Sequence, residues 1–214
     1  MKIIYKDSEQ LTNYSIKTDL DFVKELKTNE MIIHFWQYKG FLLGKLDTLL
    51  PHYQEATKWL IEQKIAFDIR KQGGLAIVSD EENLNMSFCF SAKDFNNLHK
   101  PYECVSHFLS TLLVDFGLEV QIKTIEQSYC PGDYDLSVNG LKIAGIAQYR
   151  NKDAIIVSVN LFVSGNQERR SKWIQTFYEL ANAKDSTRVN YPLIDISTMT
   201  TLSQLLDTNL DIDV

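Results

Sequence analysis

The chain has 214 residues, 44% hydrophobic and 23% charged, which suits one generous globular domain with enough apolar material for a substantial core. A formal net charge of −6 argues against a basic nucleic-acid footprint and against a polybasic membrane patch, so neither nucleic acid nor a membrane is expected as a partner. Three cysteines in a chain opening Met1-Lys-Ile-Ile-Tyr-Lys6, without a long apolar segment, point to free thiols in a reducing cytoplasm.

Residues 16 to 27 are expected as a helix with Ile16, Leu20, Val23 and Leu26 on one side. Met31 to Trp36 and Phe41 to Lys45 read as short strands around Tyr38-Lys39-Gly40. Pro51 introduces a helix over His52 to Lys64, with Tyr53, Ala56, Trp59 and Leu60 on its apolar face. Phe67 to Arg70 and Leu75 to Val78 read as strands on either side of Lys71-Gln72-Gly73-Gly74. Leu84 to Phe90 alternates polar and apolar, predicting a half-buried strand with Leu84, Met86, Phe88 and Phe90 facing in and Cys89 facing the other way. Pro101 opens the best helix of the chain, with Val105, Phe108, Leu109, Leu112, Leu113 and Phe116 at helical spacing and Gly117 as its stop.

Leu118 to Ile125 returns as a strand, and Asn139-Gly140 between two alternating runs predicts a type I′ hairpin. That turn sets Val138 opposite Leu141 and Leu136 opposite Ile143, with Asp135, Ser137, Lys142 and Ala144 on the other face. Ala144, Gly145 and Ala147 are small enough to let a ligand approach the strand closely. Ala154 to Val163 is a buried strand, Gln167 to Leu180 a second good helix, and Leu202 to Leu206 a short one for which Ser197 or Thr198 is the expected cap. Strands mixed with long helices predict an α+β domain, its sheet mixed but mostly antiparallel and flanked by helices.

Cys130, beside the breakers Pro131-Gly132, is placed in a loop over the Lys142 face, where a neighbouring cation favours the thiolate that acts as a nucleophile; the alternative is a small half-buried side chain. Lys142 is read either as a donor to an oxyanion or as an edge lysine meeting water. Arg70 to Gly74 is either a backbone cradle with a cation at its edge or a plain turn, and Asp80, Asn83 and Asn85 are placed near it. Arg169-Arg170 reads as a solvated face, with a docking patch for an acidic protein as the lesser reading. His34, His52, His99 and His107 show no ligand spacing and the thiols are scattered, so no metal site is expected.

Four blocks together resemble the biotin/lipoate protein ligase family, and within it the cysteine-dependent octanoyltransferases of Gram-positive bacteria. They are Leu42-Leu-Gly-Lys-Leu-Asp-Thr-Leu-Leu-Pro51; Ile69 to Asp80 with Leu84-Asn-Met-Ser87; Ser128 to Ser137 with Gly140-Leu-Lys-Ile-Ala-Gly-Ile-Ala-Gln148; and Tyr191-Pro192 before Thr198-Met199 and Leu202 to Leu206. The resemblance implies one catalytic domain over residues 1–214 without the ligases' C-terminal accessory domain, and Cys130 as the residue that forms an acyl-thioester. It implies Lys142 at the acyl carbonyl, and Arg70, Gly73, Gly74, Asp80, Asn85 and Gly145 around the substrate. The implied reaction moves an octanoyl or lipoyl group from glycine cleavage H protein to a lysine of the lipoyl domains of 2-oxoacid dehydrogenases; amide is exchanged for amide, so no cofactor is implied. An ATP-dependent lipoate ligase is the rival within the family, opposed by Ser79 where such ligases carry histidine; a non-catalytic binder of lipoyl domains is the rival outside it.

Overall fold

The computed structural model describes residues 2–7, 13–188 and 190–212. In chain order these form β1 (Lys2–Asp7), α1 (Lys17–Glu25), β2 (Glu30–Trp36), β3 (Gly40–Leu43), α2 (Tyr53–Glu62), β4 (Phe67–Ile69), β5 (Ile77–Ser79) and β6 (Asn83–Ser91). There follow α3 (His99–Val114), β7 (Val120–Ile122), β8 (Leu136–Val138), β9 (Leu141–Arg150), β10 (Ala154–Phe162), α4 (Gln167–Leu180) and α5 (Leu202–Leu206).

The α+β architecture expected from the element pattern is present. Seven strands lie in the order β1-β2-β6-β10-β9-β8-β7, all neighbours antiparallel except β1 against β2, and β4-β3-β5 form a separate small sheet. One face of the large sheet carries Met86, Phe88, Phe90, Val157 and Val159, covered by Val105, Leu109 and Leu113 of α3, so the helix with the cleanest periodicity seals the main core. A second core joins the small sheet to α2 and α4 through Phe41, Leu60, Val78, Ile174 and Phe177. Between that second body and the other face of the large sheet a cleft remains.

Four expectations need correction. β6 is not half-buried: Asn83, Asn85, Ser87 and Cys89 are buried as well as its apolar face, because β6 is an inner strand with packed neighbours and a roofed cleft on its polar side. The cap of α5 is Thr201, which forms a capping box with Gln204, rather than Ser197 or Thr198, which lie in a separate short turn of helix. Arg170 is no solvated residue but fully buried, its guanidinium on Asp80 at 2.5 and 2.9 Å. The fourth correction concerns the hairpin. Asn139 and Gly140 have φ of 52° and 81°, as a type I′ turn needs, and Val138 faces Leu141. Beyond Ser137↔Lys142, however, the register shifts, and Leu136 faces Ala144 instead of Ile143. One extra residue on β9 makes a bulge, and its effect is to reverse the alternation. Ile143 and Ala144 both enter the main core, while Lys142 and Gly145, three apart, face the same cleft.

Candidate functional site

The floor of the cleft is a row of register partners across the large sheet. Trp36 of β2 faces Asn85 of β6, Asn85 faces Asn160 of β10, and Asn160 faces Gly145 of β9. Two residues along, Ser87, Ser158 and Ala147 form a second row. The roof brings Leu42 and Ile77 from the small sheet, Arg70 and Gln72 from the loop after β4, and Tyr129 and Cys130 from the loop before β8. The space between, counted with the solvent at its mouth, measures about 510 Å³.

Cys130 is half-buried and sits at φ 47°, a left-handed conformation that a residue before proline does not adopt readily. Two donors converge on its sulfur: the backbone N–H of Leu75 at 3.2 Å and Nη2 of Arg70 at 3.3 Å. A cation and an amide aimed at sulfur are the surroundings that suit a thiolate nucleophile. Gly74 makes the approach feasible, for a Cβ there would lie 2.8 Å from the sulfur and 2.7 Å from Nη2 of Arg70, and its φ is 96°. Arg70 also donates to the carbonyl of Leu75 at 2.8 Å, so one guanidinium ties the loop together and touches the thiol.

Lys142 is 1% exposed, and its ammonium has three partners: the carbonyl oxygens of Tyr129 at 3.0 Å and Cys130 at 2.9 Å, and Oδ2 of Asp135 at 2.7 Å. Three N–H bonds thus meet three acceptors. Burial pushes the Asp135 carboxyl above its usual range, while the ammonium and the N–H groups of Gly132 and Ile146 pull against it. Lys142 does lie under the cysteine loop, yet it grips that loop's backbone and does not present a free donor to an acyl carbonyl.

Behind the cysteine loop, Asp47 accepts from the N–H of Gly44 at 2.7 Å and from the hydroxyl of Tyr178 at 3.3 Å. Burial pushes its carboxyl up to about 6, against the N–H of Gly44 and the charge of Arg70. Tyr178 in turn accepts from the N–H of Ala76, the residue after Leu75. Asp47 therefore supports the strand that feeds the loop on the thiol. At the far end of the cleft, Gln72 donates to the hydroxyls of Tyr14 and Ser158. Among the described residues no group of three or more His, Cys, Asp or Glu is placed to hold a metal ion, and no helix is long and apolar enough to cross a membrane.

A model of the lipoyl protein ligase A/B catalytic domain matches residues 11–214. The chain belongs to that family. Among curated ligase-family relatives, the octanoyl-GcvH:protein N-octanoyltransferase of Geobacillus kaustophilus is 35% identical over 86% of this chain and 66% of its own length. The enzyme of the same name from Oceanobacillus iheyensis is 32% identical over 97% of this chain and 75% of its own. The chain thus spans about two thirds to three quarters of the length of these relatives. Among solved structures, a bi-partite lipoate protein ligase of Thermoplasma acidophilum shares the fold, with a TM-score of 0.62, 15% identity and coverage of 97% of this chain and 78% of that one.

Of the residues that the sequence pointed to in this lipoyl ligase domain, Cys130, Lys142, Arg70, Asn85 and Gly145 border one cleft. Gly74 stands behind the sulfur, and Gly73 donates its N–H to the carbonyl of Gln148 at 3.3 Å. Asp80 does not border the cleft. Although burial works the other way, Arg170 beside it holds its carboxyl below the usual range, and the pair ties the β5–β6 turn to α4. Nothing in the sequence separates Asn160, Ser158 and Gln72 from ordinary strand and turn residues; only the pairing of β10 with β6 and β9 brings them to the floor. Asp47, by contrast, lies inside the first of the four blocks, and that is the signal that could have found it.

Proposed function

We infer that the protein transfers an acyl chain between lysine amides through Cys130. The carbonyl carbon of an octanoyl-lysine on glycine cleavage H protein takes the sulfur as nucleophile; the C–S bond forms, the C–N bond breaks, and the thiol proton leaves on the lysine amine. A lysine of a lipoyl domain then attacks the thioester; the new C–N bond forms, the C–S bond breaks, and a proton of that amine goes to sulfur. The N–H groups of Leu75 and Arg70 that face the sulfur also face the tetrahedral centre built on it, and Lys142 keeps the cysteine in its left-handed setting. The acyl tail lies along the apolar slot between Leu42 and Ile77 above and Gly145 and Ala147 below. A lipoyl tail fits the same account, since the two groups differ at their far end and a mainly apolar slot separates such ends weakly. The place we assign to the reaction is the cytosol.

One observation carries this reading: a half-buried sulfur with two donors on it opens onto a cleft whose floor, where β9 crosses it, is made by Gly145 and Ala147. It is supported by family membership and by the names of the relatives. The test is intact-mass analysis after incubation with octanoylated H protein. An added octanoyl group on the wild type, released by hydroxylamine and absent from Cys130→Ala, is the expected outcome; transfer by Cys130→Ala would overturn it.

A further inference from the structure

Asn160 is 5% exposed and borders the cleft. Its Nδ2 donates to Oδ1 of Asn85 at 2.8 Å, and Nδ2 of Asn85 donates to Oγ of Ser79 at 2.8 Å. This relay holds Asn160 with its nitrogen turned along the row of strands. Its oxygen, Oδ1, is buried and has no hydrogen-bond partner among the described residues. An acceptor left so is destabilising, and an orphan beside a cleft marks where a donor from outside is received.

We propose that Oδ1 of Asn160 receives the N–H of the scissile amide and, in the second half of the reaction, an N–H of the attacking lysine amine. The proposal rests on the amide-transfer reading above. A secondary amide brings one acceptor and one donor to the site. The two hydrogen bonds on the sulfur among the described residues come from donors, the N–H of Leu75 and Arg70, which serve the carbonyl side. Two side-chain acceptors in the cleft are buried and unpartnered, Oδ1 of Asn160 and Oε1 of Gln72. Gln72 is bonded to Ser158, two residues or about 6.7 Å along β10 from Asn160. Asn160 is at the reacting end: it faces Gly145, where an added Cβ would lie 3.6 Å from Nζ of Lys142, which itself is 2.9 Å from the carbonyl oxygen of Cys130. Glycine leaves nothing between them. Holding the N–H also turns the nitrogen lone pair, which develops as the carbon becomes tetrahedral, toward the proton coming from sulfur.

The experiment compares acylation of Cys130 by octanoylated H protein with acylation by the octanoyl thioester of N-acetylcysteamine, which has no N–H at its scissile bond. In Asn160→Leu the amide reaction is expected to fall at least about tenfold further than the thioester reaction, the loss of one hydrogen bond. Asn85→Ala, which keeps Asn160 but removes its relay, is expected to show the same selectivity in smaller degree and keeps the test open should the leucine variant not fold. Equal losses with both donors, or an unaffected amide reaction, would overturn the proposal. A wild type acylated by the thioester but never by any amide donor would overturn the amide-transfer reading itself.

Discussion

The ammonium of Lys142 donates to the carbonyl oxygen of Cys130 at 2.9 Å, so the lysine acts on the backbone of the nucleophile and not on its sulfur. A left-handed pre-proline residue costs on the order of 1–3 kcal/mol, and this bond, with its twin to Tyr129, is what holds it.

Lys142→Met should therefore destabilise the fold by about 3–5 kcal/mol, because Asp135 would remain buried without its counter-charge. Adding Asp135→Asn should recover part of that loss but none of the activity, since the two carbonyls stay ungripped. Urea unfolding of the single and double variants, with the acyl-transfer assay beside it, checks both halves.

Gly74→Ala is expected to cost at least ~1 kcal/mol for the backbone alone and to push the sulfur off its two donors. Acyl transfer should fall more steeply than stability does. A fall in activity that merely tracks the unfolded fraction would show that the glycine serves the turn only.

Arg70→Leu removes the cation from the sulfur. Alkylation of Cys130 by iodoacetamide at neutral pH should slow, while that of the exposed model thiol glutathione in the same tube stays constant. Both bonds leave one nitrogen, Nη2, so Arg70→Lys, whose ammonium can donate to the Leu75 carbonyl and to the thiol at once, should restore part of the rate.

Asp47 gives a pH signature. Its folded value of about 6 lies above the usual carboxylate value, so the folded state binds the proton more tightly than the unfolded chain does. Its contribution is complete below about pH 4 and is lost as pH rises through 6, a change on the order of 3 kcal/mol. Asp47→Asn, which keeps an oxygen for the N–H of Gly44, should gain stability over the wild type as pH goes from 4.5 to 8. Parallel unfolding curves at three pH values would show the gap widening, and a constant gap would count against it.

Much of this was legible in the residues themselves. The stripes of α2, α3 and α4 repeat at 3.6, and Asn139-Gly140 announces its turn, because both signals are local. The cysteine, the lysine and the glycines of the site stand in motifs and could be named together. What stayed hidden depended on pairing at a distance. The run Leu141 to Ile146 looks the same with or without a bulge, and only its neighbours β8 and β10 reveal the extra residue. Arg170 follows another arginine at the start of a helix, and its burial depends on Asp80, ninety positions earlier. The first strand escaped because it is an edge: Tyr5 is 60% exposed, so Lys2 to Asp7 has no full apolar face to betray it. Asn160 lies in an apolar run that reads as plain strand interior.

The change of parity in β9 sets a strict rule for what this hairpin can tolerate. Loss of Ile143 would restore plain alternation and keep the ammonium on the cleft side, yet it would take a buried side chain out of the main core and straighten the bend on which the anchorage beneath the thiol is built. Length variation among natural or designed versions should consequently collect at the Asn139-Gly140 tip, where it shifts nothing, and avoid the one position that counts.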